Sequence, residues 1–189
     1  MTTVVVVSKA NQICIAADTL ASYGSQKESA EYIANADKIL RVGDSYLAPT
    51  GPASAQLVLK SYFKDPDRLA RFESIDSIFE TMRAMHGVLK DEYFLNPKED
   101  DDQPYESLQM DCLIANPHGI FGVYSLRSIQ EYKRFYAFGS GSEYALGAMH
   151  ALYDSEANAE SIALAGVRAA AEFDGSTGLP ATSFTTAKN

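Results

Sequence analysis

The sequence predicts an α+β fold in which antiparallel sheets are covered by helices. Three observations carry that prediction. Segments with strand and helix patterning follow one another as strands, two helices, strands, two helices and a last strand, rather than as alternating strand–helix units. The opening run Thr2-Thr-Val-Val-Val-Val7 and the nearby Ile13-Cys-Ile-Ala-Ala17 are apolar almost without alternation, which marks strands buried on both faces. A length of 189 residues, 46% apolar and 22% charged, is enough for one domain with a sizeable core and excludes global disorder. A single domain over residues 1–189 is expected.

Charge and cysteine content narrow the function classes. Sixteen Lys and Arg against 25 Asp and Glu give a formal charge of −9, which argues against nucleic acid or an anionic membrane as partner. No apolar run approaches the roughly 18 residues of a membrane span. The run Val4–Val7 is stopped by Ser8 and Lys9, too soon for a signal-peptide core, so a cytoplasmic location is expected. Cys14 and Cys112 lie far apart and support neither a disulfide framework nor a cysteine-based zinc site.

The first strand begins almost at the first residue, turns at Lys9-Ala-Asn-Gln12 and returns as Ile13 to Asp18. Residues 19–35 are small and polar and read as an irregular crossing. Lys38 to Val42 and Ser45 to Ala48 flank a Gly43-Asp44 turn. Helices follow over Ala53 to Lys64, stopped by Asp65-Pro66, and over Ser74 to Phe94. In the second helix Ile75, Ile78, Phe79, Met82, Met85 and Leu89 form one stripe, read as core packing. The acidic run Glu99 to Asp102 reads as a solvated loop, since it lacks the glycine and terminal glutamate of a calcium loop. Strands are expected at Gln109 to Ala115, Gly119 to Ser125, Ser128 to Glu131 and Phe135 to Phe138, with a turn at Asn116-Pro-His-Gly119. Two helices, Ser142 to Tyr153 and Asn158 to Phe173, and a short strand from Ala181 to Thr186 complete the chain.

Several familiar chemistries are missing. His86, His118 and His150 are isolated and read as structural or surface residues. Phe138-Gly-Ser-Gly-Ser-Glu-Tyr144 lacks the third small residue of a dinucleotide loop, and no Gly-Lys-Ser or Gly-Lys-Thr marks a P-loop. No Gly-x-Ser-x-Gly elbow is present.

The start of the chain is chemically richer. Thr2 follows Met1 directly, and a small second residue permits removal of the initiator methionine. A chain beginning at Thr2 carries a hydroxyl nucleophile and a free α-amine on one backbone unit. That amine, with an unperturbed pKa of about 7.7–8.0, can serve as general base for its own hydroxyl. Asp18 ends the strand paired with the one that starts at Thr2, so the hairpin places it alongside. A lysine beside the nucleophile, such as Lys38, would depress the amine's pKa and stabilise developing negative charge, held in place by Asp18. The plainer alternatives are a strand-end aspartate and a surface lysine.

Taken in order, Thr2-Thr-Val-Val, Ile15-Ala-Ala-Asp18, Asp37-Lys38-Ile39, Thr50-Gly51, Phe138-Gly-Ser-Gly141 and Asp174-x-x-Thr177-Gly178 resemble the proteasome β-subunit and HslV family of N-terminal threonine peptidases. The resemblance runs from residue 2 to about residue 186. Its details are similar to a small bacterial branch, the betaproteobacterial proteasome homologues (BPH) ahead of Anbu. It implies the Ntn-hydrolase fold, a four-layer αββα sandwich of two antiparallel sheets. It implies Thr2 as nucleophile, Asp18 and Lys38 beside it, and Gly51 as the oxyanion donor. Ser140 matches the serine that contacts the threonine amine, and Asp174 and Thr177 match the pair that orients that serine, with Thr177 in place of the usual serine. By the same alignment Ala21, Ala36, Leu40, Pro49 and Ala53 line the pocket for the residue before the cut. All five are uncharged, so an apolar residue is expected there.

The family resemblance further implies stacked homo-oligomeric rings, with seven-fold symmetry favoured by the Asp174–Gly178 segment. Peptides or unfolded proteins are the implied substrates and an ATP-dependent unfoldase a family-level partner; no cofactor or metal is implied. The single residue before Thr2 leads to an expectation of maturation by simple removal of Met1. The interval from Asp18 to Lys38 is a few residues longer than is usual in the family, so the 19–35 segment must absorb an insertion. Two alternatives compete with the peptidase. One is another Ntn amidohydrolase acting on a small amide, which the Gly-Ser-Gly and Asp174-x-x-Thr177 pattern argues against. The other is a non-catalytic ring subunit, which has no chemical reason to keep Thr2, Asp18, Lys38, Ser140 and Asp174 together.

Overall fold

The strand order of the chain start explains the whole architecture. In the computed structural model, which describes residues 2–98 and 102–189, β1 (Thr3–Lys9) and β2 (Gln12–Asp18) form a hairpin in register Val4↔Ala17 to Lys9↔Gln12. The two-residue turn Ala10-Asn11 has positive φ at both positions, the geometry whose twist suits a tight hairpin. β10 (Phe135–Gly139) pairs antiparallel with β1, and β11 (Ala181–Ala187) pairs antiparallel with β2. The first sheet is therefore ordered β10-β1-β2-β11.

The second sheet is also antiparallel and runs β5-β6-β7-β8-β9. Its strands are β5 (Leu40–Val42), β6 (Ser45–Thr50), β7 (Asp111–Asn116), β8 (Gly119–Val123) and β9 (Ile129–Tyr132). The β7–β8 turn is fastened by Asn116, whose Oδ1 accepts the N–H groups of His118 and Gly119 at 2.9 and 3.2 Å.

Strand alternation builds three apolar layers from these two sheets. Val4, Val6, Ile13 and Ile15 face the second sheet and meet Ala48, Leu113, Ala115 and Ile120. Val5, Val7, Cys14 and Ala16 point the other way, against α3 (Ser142–Tyr153) and α4 (Ala159–Phe173). On the far side Leu47, Cys112, Ile114 and Phe121 pack under α1 (Ala55–Lys64) and α2 (Ile75–Asp91). The result is the four-layer αββα sandwich. Each fully buried Val, Leu or Ile side chain contributes about 1.5–3 kcal/mol, so the two-sided burial of β1 and β2 anchors the start of the chain firmly.

Two elements differ from the expectations. The 19–35 segment contains a small hairpin, β3 (Ala21–Tyr23) and β4 (Gln26–Glu28), turning at Gly24 with φ +60°. Three-residue strands of mixed polarity carry too little pattern to be seen in sequence. On α2, Ile78, Met82, Met85 and Leu89 are buried, but Ile75 and Phe79 are 43% and 40% exposed. At 100° per residue those two lie at one edge of the stripe, beyond the face that meets the sheet. Ser74 caps this helix with a reciprocal Ser74–Ser77 box. Of the acidic run, Glu99, Asp100 and Asp101 lie outside the described residues.

Candidate active site

The end of β2 and the start of β1 lie side by side, and this brings Asp18 to Thr2. Asp18 is fully buried and accepts from five donors. Its Oδ1 accepts the Thr2 hydroxyl at 2.6 Å, Lys38 Nζ at 2.7 Å and the Thr3 N–H at 3.0 Å. Its Oδ2 accepts the N–H groups of Leu20 and Gly178, both at 3.1 Å. A carboxylate held this way cannot rotate, and its charge is shared between a buried hydroxyl and an ammonium.

Lys38 also donates to the Leu20 carbonyl at 2.7 Å. Burial pushes its pKa below the ordinary lysine value, and the Asp18 carboxylate opposes that shift. The preceding Asp37 fixes the turn that delivers it. Asp37 Oδ1 accepts the Ile39 N–H and the Thr182 hydroxyl, each at 3.0 Å, and its carbonyl accepts from Gln56 Nε2.

A second constellation approaches from the opposite end of the chain. β10 ends at Gly139 and is followed by Ser140-Gly141, and the Ser140 N–H donates to the Thr2 carbonyl at 3.0 Å. Only glycines fit on either side. A Cβ on Gly139, where φ is +99°, would overlap the Thr2 carbonyl oxygen, and one on Gly141 would overlap the Thr3 hydroxyl. Ser140 Oγ and Thr177 Oγ1 both donate to Asp174 Oδ2 at 2.6 Å. Burial alone would raise the Asp174 pKa, but donation from Ser140, Thr177 and the Ser176 N–H holds it below the ordinary carboxylate value.

Sequence reasoning missed Thr3. Its hydroxyl lies 2.6 Å from Thr177 Oγ1 and accepts the Gly141 N–H at 3.1 Å. Because Thr177 spends its proton on Asp174, Thr3 must be the donor to Thr177. A relay Thr3→Thr177→Asp174 thus ties the residue next to Thr2 to the Ser140 anchor. In sequence, Thr3 is one more β-branched strand residue, and only the cross-chain register distinguishes it.

A pocket of about 520 Å³ opens over Thr2 and Lys38. Ala21, Ala36, Pro49 and Ala53 line it, as does Gly51. Leu40 does not. Alternation sets Ile39 on the inter-sheet face and Leu40 on the helix face, where Leu40 pairs with Leu47 and packs near Leu59. Gly51 has φ +126°, and a Cβ there would press on the Gln109 carbonyl at 3.0 Å. The expected removal of Met1 concerns a residue outside those described.

The two-sheet sandwich with this site at the β1 start defines the proteasome-type fold of the N-terminal-nucleophile class. The chain is 49% identical to the Thiobacillus denitrificans BPH in its complex with epoxomicin, covering 99% of both chains with a TM-score of 0.92. A second structure of the T. denitrificans BPH gives 50% identity over 99% of this chain and 98% of that one, again with a TM-score of 0.92. The eukaryotic HslV of Trypanosoma brucei shares the fold, with a TM-score of 0.69 and 16% identity over 98% of this chain and 99% of that one. No family model and no curated protein matches the sequence. The chain belongs to the family of BPH, the betaproteobacterial proteasome homologues.

Proposed function

We propose that this protein is a self-compartmentalised threonine endopeptidase built from a single peptidase domain. The observation that carries the proposal is the convergence of the Thr2 hydroxyl and Lys38 Nζ on one oxygen of the buried Asp18. Removal of Met1 frees the Thr2 α-amine, which gives the hydroxyl a second acceptor. The amine, through a water molecule, takes the hydroxyl proton as Thr2 Oγ attacks the peptide carbonyl carbon. The Gly51 N–H stabilises the oxyanion. The C–N bond then breaks, and the ammonium returns its proton to the leaving amine. Water attacks the resulting ester, giving one proton back to the amine and then to Thr2 Oγ as the acid departs. Lys38 lowers the cost of negative charge at Thr2 Oγ, and Ser140, held by Asp174 and Thr177, orients the amine.

The uncharged walls supplied by Ala21, Ala36, Pro49 and Ala53 favour an apolar residue before the cut. The T. denitrificans BPH forms a complex with epoxomicin, and that supports binding of a protease inhibitor by this chain as well. The family supports assembly into stacked rings in the cytoplasm, which we take as heptameric, fed with unfolded protein by an ATP-dependent unfoldase. Hydrolysis of an unfolded protein by the wild type, absent from Thr2→Ala and retained in part by Thr2→Ser, tests the activity. A homogeneous ring mass with no hydrolysis by the wild type would overturn it.

A further inference from the structure

Of the side chains that line the pocket, only those of Lys38 and Glu28 carry charge at neutral pH. Lys38 is neutralised by Asp18 at 2.7 Å. The Glu28 carboxylate makes no hydrogen bond or ion pair with any described residue. It stands directly opposite Ala21 in the β3–β4 hairpin, so the two side chains share one face. Tyr23, two residues along from Ala21, lies on that same face, is 61% exposed and also lines the pocket. The adjacent Lys27 pairs with Ser22 and points to the other face. An unpaired carboxylate and an exposed aromatic ring therefore stand at the pocket on one face of the hairpin, diagonal to each other in the register, and no described residue supplies the carboxylate with a cation.

We infer that Glu28 and Tyr23 form a subsite that selects a basic side chain in the substrate. This rests on the peptidase reading and deepens it, giving the substrate two requirements at different positions. An apolar residue enters the uncharged walls before the cut, and a lysine or arginine elsewhere in the bound segment lies between the Glu28 carboxylate and the Tyr23 ring. The carboxylate accepts hydrogen bonds from the cation, and the ring offers its negative face. Both groups are exposed, so solvent and salt screen the attraction and its effect is modest. At low salt a preference of about 5-fold for Arg over Gln follows, weakened by added salt.

The test uses peptides with one fixed apolar residue before the cut and Arg, Gln or Glu placed in turn at each other position. The readout is the Arg/Gln ratio of kcat/KM, which normalises each variant to itself. The wild type is expected to favour Arg at one position. E28Q should bring that ratio to about one, E28K should invert it, and E28D should preserve it. No position with a basic preference, or a preference that survives E28Q and E28K, would overturn the subsite. If the wild type cleaves every peptide without regard to charge, the subsite fails and the peptidase stands. Cleavage of no peptide, with no epoxomicin adduct on Thr2, would overturn both.

Discussion

Thr2 and Lys38 share a single acceptor, Oδ1 of Asp18, at 2.6 and 2.7 Å, although 36 positions separate the hydroxyl from the ammonium in sequence. Two pieces of local structure bring them there. The tight Ala10-Asn11 turn fixes the β1–β2 register that sets Asp18 beside Thr2. The anchoring of Asp37 to Thr182 and Gln56 then aims Lys38 back at that carboxylate.

Lys38→Ala removes the cation from a fully buried carboxylate. Breaking a buried pair typically costs about 3–5 kcal/mol, and four other donors remain on Asp18, so the expected loss is about 3 kcal/mol. Denaturant midpoints measure it. Lys38→Arg, which keeps the charge, should recover most of that stability while hydrolysis stays low. Equal stability of Lys38→Ala and the wild type would show that the pair is not structural.

Asp174 has a pKa below its ordinary value of 3.8. A depressed carboxylate contributes stability that is fully present above its unfolded pKa and is lost as pH falls through its folded pKa. The margin of the wild type over Asp174→Asn should therefore be flat above about pH 5 and shrink below pH 3.8. Unfolding measured across that range checks the sign. A margin that grows on acidification would contradict the hydrogen-bonding account of Ser140 and Thr177.

Gly51→Ala places a Cβ against the Gln109 carbonyl at a φ that side chains rarely adopt. The substitution therefore strains the backbone that carries the Gly51 N–H, the oxyanion donor of the proposed mechanism. Loss of one oxyanion donor lowers kcat by about 100-fold or more, with KM changed much less. A variant with kcat unaltered would remove Gly51 from the mechanism.

Burial pushes the thiols of Cys14 and Cys112 up to about 12. A thiol reagent at pH 8 should label neither in the folded protein and both after denaturation. Prompt labelling of the native protein would contradict the two-sided burial of β2 and β7.

The layers were legible because Val4–Val7 and Ile13–Ala17 are apolar at every position, a pattern that two-sided burial alone produces. Helices α3 and α4 form over the segments that the sequence marks as helical, and Asn158 Oδ1 caps α4 by accepting the Ser161 N–H. Thr2, Asp18 and Lys38 could be connected through hairpin geometry and family resemblance. The Thr3 relay and the Glu28 carboxylate could not. Both depend on register, Thr3↔Gly139 in one case and Ala21↔Glu28 in the other, and neither pairing leaves a periodic mark in the chain. The misplacement of Leu40 has the same origin, since one step along a strand moves a side chain to the opposite face.

The central claim is that Thr2 acts with both its hydroxyl and a free α-amine. The most direct measurement is the intact mass of the purified protein after incubation with epoxomicin, whose epoxyketone closes a ring through a hydroxyl and an amine on one residue. The account predicts loss of Met1 and one adduct per chain in the wild type, with no adduct on Thr2→Ala. A wild-type chain that has lost Met1 and takes no adduct, or an adduct that persists in Thr2→Ala, would contradict it.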